Sequence, residues 1–236
     1  IGNLDSTYAP VIVHGGGKDI GRFFAALGRQ SDFVQGMRVT DEESIDIVEM
    51  VLSGHVNKRI VRALIQREIT AIGLSGIDAG VFRAEKLYVD NRDIGFVGQV
   101  EQVNTAPIEL LWNNGYVPVL SAISLGADGH AYNVNADCAA SRLAMALEVD
   151  DCMFISDVPG VIIDHSTIHR LDHDSIESLI DTAQITGGMV PKLRSAAETV
   201  ERGVRRVHIC GWNGSGTLNN ELSGSPSGTV ICRPEN

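Results

Sequence analysis

The chain has 236 residues, 44% of them hydrophobic and 21% charged, which is enough apolar material for one large α/β unit or two modest lobes. Its net charge of −11, with no lysine-arginine run longer than Arg205-Arg206, argues against nucleic acid or an acidic membrane as the main partner. Cys138, Cys152, Cys210 and Cys232 are widely spaced in or beside apolar segments, the pattern of buried reduced thiols rather than of a disulfide frame or metal site. No apolar run reaches membrane-spanning length and no signal peptide opens the sequence, so the cytoplasm is the expected location.

The run Val11-Ile12-Val13-His14 stops at Gly15-Gly16-Gly17-Lys18. This predicts a buried parallel strand, a glycine turn and then a helix carrying Ile20, Phe23, Phe24 and Leu27. Free N–H groups and the positive end of that helix form a site for an anion. Residues 33–40, with Gly36, predict a hairpin. Thr40 followed by Glu43 predicts a capped helix start, then a helix through Ile45, Val48, Val51 and Leu52 and a second through Val56, Ile60, Val61 and Leu64. Residues 69–74 read as a strand. Residues 80–103 read as antiparallel hairpins laid over the edge of a parallel core.

Beyond residue 103 the alternation of helix and strand returns. Residues 107–113 and 136–147 predict helices and 116–121 a strand, with a hairpin turn at Asp128-Gly129. Residues 152–156 predict a buried strand ending in a tight loop, Asp157-Val158-Pro159-Gly160-Val161. His165, His169 and His173 recur among Asp164, Asp172 and Asp174, the pattern of a solvated connection more than of a metal site. Helices over 176–180 and 189–202, a strand over 206–210 and a closing edge strand over 228–231 complete the chain. Such alternation implies a mainly parallel sheet covered on both faces, with ligands beyond the carboxyl ends of its strands.

Three polar sets fall at those ends. Gly15-Gly16-Gly17 is a nest of backbone donors. Asn133, Asn135 and Asp137 cluster where a strand meets a helix, as helix caps or as groups that orient a substrate and anchor catalytic cations. Lys192 follows Gly187-Gly188 in the first turn of a helix, where a cation is out of place unless an anion sits there too. Arg38 offers a planar fork for a carboxylate. No GxxxxGK[ST] loop, kinase catalytic loop or GxSxG elbow is present. Phosphate cradles with isolated lysines and a carboxylate suit phosphoryl transfer by positioning and charge neutralisation.

The blocks His14-Gly-Gly-Gly17, Gly36-Met-Arg38-Val-Thr40-Asp41, Asn133-Val-Asn135-Ala-Asp137, Ser156-Asp157-Val-Pro-Gly160-Val161 and Gly188-Met-Val-Pro-Lys192 resemble, in order, those of the N-acetyl-L-glutamate kinases. Val56-Asn57-Lys58 and Gly95-Phe-Val-Gly98 fit the same pattern, and together the blocks span nearly the whole chain. The resemblance implies an α/β fold, the open three-layer αβα sandwich of the amino-acid kinases with a mainly parallel central sheet. It also implies an N-terminal lobe over 1–148 for acyl-amino-acid binding and dimerisation, and a nucleotide-binding lobe over 149–236. The implied reaction is transfer of the γ-phosphoryl of ATP, with Mg2+ held mainly by the nucleotide, to the side-chain carboxylate of N-acetyl-L-glutamate, a step of arginine synthesis.

By position, Gly16 and Gly17 are then expected to offer N–H groups to substrate and phosphoryl group. Arg38 is expected to hold the α-carboxylate, and Asn133 the acetylamino end. Asp137 and Lys192 are the expected catalytic residues, the first orienting lysines and the second neutralising phosphoryl charge. Asp157, Val158, Pro159, Gly160, Val161, Ile162, Gln184, Ile185 and Thr186 are expected to line the nucleotide pocket.

The family opens with a strand bearing Lys-x-Gly-Gly, of which Ile1-Gly2 reads as a remnant. Lys18 stands where proline is frequent, and Gly187 where an acidic residue is frequent. The family's arginine-inhibited hexamers use an extra N-terminal helix, so an arginine-insensitive homodimer is the expectation here. Two rival readings are a kinase of carrier-linked aminoadipate or glutamate, and a catalytically inactive nucleotide or amino-acid sensor.

Overall fold

The computed structural model describes every residue except Asn3, Ser6, Ser225, Glu235 and Asn236. Two compact units divide the chain, one built mainly from Thr7–Ala139 and the other mainly from Ala140 onward. In the first, β1 (Ile12–His14) is followed by α1 (Gly17–Ala26), which buries Ile20 and Phe24 on one face. The expected hairpin is β2 (Phe33–Val34) and β3 (Met37–Arg38). Next come α2 (Glu42–Glu49) and α3 (Asn57–Ile65), joined without a break by a π-helical segment over Met50–Val56. The predicted pair of helices is therefore one rod. Gly54 does not interrupt it, because the wider turn keeps Val51, Leu52 and Val56 packed on Ile20 and Phe24.

The capping residue of α2 is Asp41, whose carboxylate accepts from the Ser44 N–H at 2.8 Å, and not Thr40. Thr40 is fully buried. Its backbone stays extended because its N–H donates to Ile94 O and its carbonyl accepts from Phe96 N–H. Gly95 lies between them with φ +82°, and a Cβ there would stand 2.0 Å from Thr40 O, so only glycine fits.

β4 (Ala71–Ser75) leads to β5 (Phe82–Val89) and β6 (Arg92–Val103), then α4 (Ala106–Asn113), β7 (Val117–Ser121), β8 (Ile123–Gly126), β9 (Ala131–Val134) and α5 (Ala136–Ala146). β1, β7 and β4 form an all-parallel sheet with β7 in the middle. Val119 and Leu120 of β7 are completely buried, as a parallel strand covered on both faces requires. The predicted hairpins of residues 80–103 do not lie over a sheet edge. β5 and β6 close with β8 and β9 into a small barrel, two of whose seams are parallel pairings between distant strands. Closure leaves no edge unpaired.

The second unit continues from α5, whose Ala144 packs in its core. It contains β10 (Asp151–Ser156), β11 (Val161–Ile163), β12 (Ser166–Ile168), β13 (Arg170–Leu171), α6 (His173–Asp181), α7 (Met189–Glu201), β14 (Arg206–Gly211), α8 (Thr217–Leu222) and β15 (Thr229–Cys232). The sheet order is β10-β14-β15-β13. β15 is thus an interior strand and not the closing edge that the sequence suggests, because β13 pairs along its free side. The segment with His165 and His169 is not a plain connection but includes the β11–β12 hairpin. No helix among the described residues is long and apolar enough to cross a membrane.

β10 and β14 are clipped at their starts by Asp151. It accepts from Arg206 at 2.7 and 3.0 Å and from His208 Nε2 at 2.9 Å. Burial pushes the Asp151 carboxyl up, but the bonds from His208 and Arg206 outweigh it and bring its pKa down to about 2. A carboxyl depressed in the folded state stabilises above its unfolded pKa, near 4, and loses that contribution as pH falls toward 2. Asp151→Asn is expected to lower stability at neutral pH by about 2 kcal/mol and to flatten its fall between about pH 4 and 2. Urea unfolding across a pH series measures both.

Candidate active site

β1, β7 and β4 end in step: His14 and Ser75 both pair in register with Ser121, and all three residues are buried. Beyond them the chain enters the glycine turn, and Gly16 precedes α1 with no side-chain cap. The first N–H groups of a helix have no partner within it, so this turn faces outward with donors and the positive end of α1.

The sheet end is fastened by Asn57, the first residue of α3 and itself fully buried. Asn57 Nδ2 donates to Leu74 O at 3.1 Å and Val119 O at 2.9 Å, and meets His14 Nε2 at 3.1 Å. Its Oδ1 accepts from Lys58 Nζ at 3.1 Å, and the same ammonium donates to Gly73 O. With carbonyls on one side and a cation on the other, the amide has one satisfactory orientation. Gly73 makes room for it: a Cβ there would lie 1.9 Å from Asn57 Oδ1. Gly16 makes room for the π-helical segment in the same way, its Cβ falling 2.7 Å from Leu52 Cδ2 and 3.0 Å from Val56 Cγ2.

Around the turn stand most of the residues singled out in this unit. Arg38 donates to Gly17 O at 3.1 Å and to the Ser31 hydroxyl. Its guanidinium lies 5.3 Å from the Phe24 ring centre and 4.7 Å from that of Phe33, a stack of about 0.5–2 kcal/mol per face. Burial lowers its pKa from an ordinary value so high that the group stays cationic. Thr40 Oγ1 donates to Arg38 O at 2.9 Å and meets Asn133 Nδ2 at 3.4 Å, so Gly17, Arg38 and Asn133 are linked through side-chain contacts. Asn135 Oδ1 accepts from the N–H groups of Asp137 and Cys138, capping α5 and placing Asp137 in its first turn. A Cβ on Gly15 would lie 3.3 Å from Ala136 Cβ, which brings the mouth of α5 beside the glycine turn.

The remaining singled-out residues belong to the second unit. The loop 157–160 follows β10 and lies over the end of β14, where a Cβ on Gly211 would meet Pro159 Cα at 3.2 Å. Val161 N–H donates to Thr229 Oγ1 at 2.8 Å, which ties this loop to β15. Asp157, Pro159 and Ile162 are exposed and Val158 is half-buried, whereas Gly160 is buried. The Val161 and Ile185 side chains lie in the hydrophobic core, so only their backbones are available to a ligand. Gln184 and Thr186 are exposed beyond α6. Lys192 Nζ stands 5.1 Å from the Phe154 ring centre, on a helix whose N-cap, Gly188, has no side-chain cap.

What the motif reading passes over is the role of His14 and Asn57. Their signal in the sequence is only that each lies within a recognisable block, His14-Gly-Gly-Gly17 or Val56-Asn57-Lys58; the partners are backbone carbonyls that pairing alone brings together. Gly73→Ala is expected to destabilise by about 1–3 kcal/mol, since a rigidly held amide must move. Gly16→Ala is expected to cost less than Gly73→Ala, because the tip of Leu52 can turn. Denaturant unfolding of both variants orders the two effects.

The amino acid kinase family model matches residues 1–211. The acetylglutamate kinase of Caldanaerobacter subterraneus subsp. tengcongensis is 46% identical over 204 residues, covering 85% of this chain and 68% of its own. That of Chloroflexus aurantiacus is 44% identical over 211 residues, covering 88% and 83%. The solved structure of smu.665 from Streptococcus mutans UA159 superposes with a TM-score of 0.81 at 30% identity, over 94% of this chain and 85% of that one. Matched along most of its length by family model, relatives and fold, the chain belongs to the amino acid kinase family.

Proposed function

We propose that the protein is an acetylglutamate kinase, making N-acetyl-L-glutamyl phosphate and ADP from N-acetyl-L-glutamate and MgATP. The observation that carries this reading is the linked set Gly17, Arg38, Thr40 and Asn133 at a helix N-terminus, in a chain 46% identical to an enzyme of that name. In the reaction a side-chain carboxylate oxygen attacks the γ-phosphorus. The bond to the β,γ-bridging oxygen breaks, and ADP departs with that electron pair. The nucleophile is already ionised at neutral pH, so the protein needs no general base.

Its work is to position the reactants and to balance charge. Arg38, desolvated and stacked between two rings, takes the α-carboxylate with little further loss of freedom. Asn133 meets the acetylamino end. The N–H groups of Gly16 and Gly17, with the positive end of α1, meet the reacting carboxylate and the transferring phosphoryl group. Lys192 neutralises phosphoryl charge, and Asp137 orients the cations. The nucleotide lies along 157–162 and 184–186, bringing Mg2+ on its phosphates. The reading extends to a cytoplasmic homodimer that works in arginine synthesis, with residues 1–148 serving the acyl acceptor and the dimer, and 149–236 the nucleotide.

A carrier-linked acceptor is disfavoured because an acidic carrier calls for a basic entrance, and this chain has a net charge of −11. Hydroxylamine trapping with N-acetylglutamate, glutamate and aminoadipate in parallel tests the reading. Hydroxamate is expected from N-acetylglutamate alone, with Lys192→Ala losing about a hundredfold or more in kcat. Arg38→Lys is expected to raise KM for that substrate about tenfold to a hundredfold, because the fork and the stack are lost while the charge remains. Equal silence with all three acceptors, despite ATP binding, contradicts it in favour of a sensor.

A further inference from the structure

We infer that His14 is a positioning residue: a neutral imidazole, locked by Asn57, that turns the Gly15–Gly16 peptide so that the Gly16 N–H faces the reacting groups. The catalytic importance of that N–H rests on the function proposed above; the lock itself does not.

Hydrogen bonding assigns the proton on the ring. His14 Nδ1 lies 3.0 Å from Gly15 O, which can only accept, so Nδ1 carries hydrogen. His14 Nε2 faces the Asn57 amide nitrogen at 3.1 Å, which cannot accept, so a hydrogen on Nε2 would have no partner and Nε2 is the bare nitrogen, sharing the two amide hydrogens with Leu74 O and Val119 O. Turning the Asn57 amide over would set its oxygen against Leu74 O and Val119 O and its NH2 against the Lys58 ammonium, losing three partners for the one bond that a hydrogen on His14 Nε2 could return. The ring is buried, and burial holds its pKa below the ordinary histidine value. The bond to Gly15 O opposes this, and the nearby charge of Arg59 adds to it. The facing charged groups, Lys58 through the amide and Arg59, are both cations and both disfavour a second proton.

The consequence for the glycine turn follows from peptide geometry. No peptide bond among the described residues is cis, so the Gly15 carbonyl and the Gly16 N–H point in opposite directions from one rigid plane. An imidazole that draws Gly15 O toward the sheet end aims Gly16 N–H away from it. A glycine is otherwise free to rotate there, since its backbone wells are the broadest of any residue. The bond from Nδ1 removes that freedom before substrate arrives, so the donor does not have to be ordered during the reaction.

Two substitutions separate positioning from packing. In His14→Asn the side-chain amide nitrogen falls near the place of Nδ1 and still donates to Gly15 O; in His14→Gln it falls near Nε2 and cannot. The expected result is that His14→Asn keeps kcat within about fivefold, whereas His14→Gln loses about thirtyfold to a hundredfold, with KM for ATP unchanged in both. Equal losses in both variants, or none in His14→Gln, overturn the inference.

A readout independent of activity is nitrogen NMR of the histidine ring and of the Gly16 amide in the ligand-free protein. The lock predicts a protonated Nδ1 and a bare Nε2, and a Gly16 amide resonance that moves in His14→Gln but not in His14→Asn. A protonated Nε2 in the unsubstituted protein overturns the inference even if neither variant folds. Failure of the unsubstituted protein to form hydroxamate counts against the proposed reaction and leaves the ring and amide spectra to decide the lock.

Discussion

A buried helix start must be tied to the sheet it packs on, and in this protein Asn57 Nδ2 donates to a carbonyl of each of two neighbouring parallel strands, Leu74 O of β4 and Val119 O of β7. Leaving a buried carbonyl unsatisfied costs about 1–3 kcal/mol, so this contact holds the first turn of α3 firmly against β4 and β7. Other features depend on it. Gly73 is needed because the amide occupies the space of a side chain. His14 takes its tautomer from the same amide. The π-helical segment that precedes Asn57 brings Leu52 and Val56 under Gly16, where a Cβ would press on their side-chain tips. A structural clasp thus adjoins the glycine turn on two sides.

The charge pattern follows a related economy. In the proposed reading, a chain with a net charge of −11 meets anionic ligands with few cations, each held by its surroundings. Arg38 is pinned by a carbonyl, a hydroxyl and two rings, and Lys192 stands over the Phe154 ring. Cations immobilised in this way lose little entropy on binding, and the rest of the attraction comes from helix ends and backbone N–H groups. Because the acceptor is a carboxylate, no proton has to be moved, and the lack of a nucleophile-base pair is what the chemistry requires.

Much of this was legible in the sequence. The glycine turn, the 33–38 hairpin with Arg38 and the Asn133–Asp137 cap are local features, set by residues within a few positions of one another. What could not be read depends on distant pairing. Thr40 is a sound cap by its neighbours alone, yet its bridge to Gly95 ties it to the barrel strand β6, and the cap passes to Asp41. The barrel needs β5 beside β8 and β6 beside β9, and the interior place of β15 needs β13, pairings with no local signature. The π-helical segment keeps an apolar spacing close to that of an α-helix, so periodicity does not reveal the wider turn. Asn57 is one polar residue at a helix start until three strands are laid beside it.

The central claim is that a substrate carboxylate, positioned by this glycine turn and Arg38, is the nucleophile toward phosphorus. The direct measurement uses N-acetylglutamate whose side-chain carboxylate oxygens carry a heavy isotope, with ATP and hydroxylamine, followed by mass analysis of the released phosphate. Hydroxylamine attacks the acyl carbon, so the account predicts one labelled oxygen in each phosphate formed. Unlabelled phosphate would mean that water and not the carboxylate attacks the nucleotide, and would contradict the account.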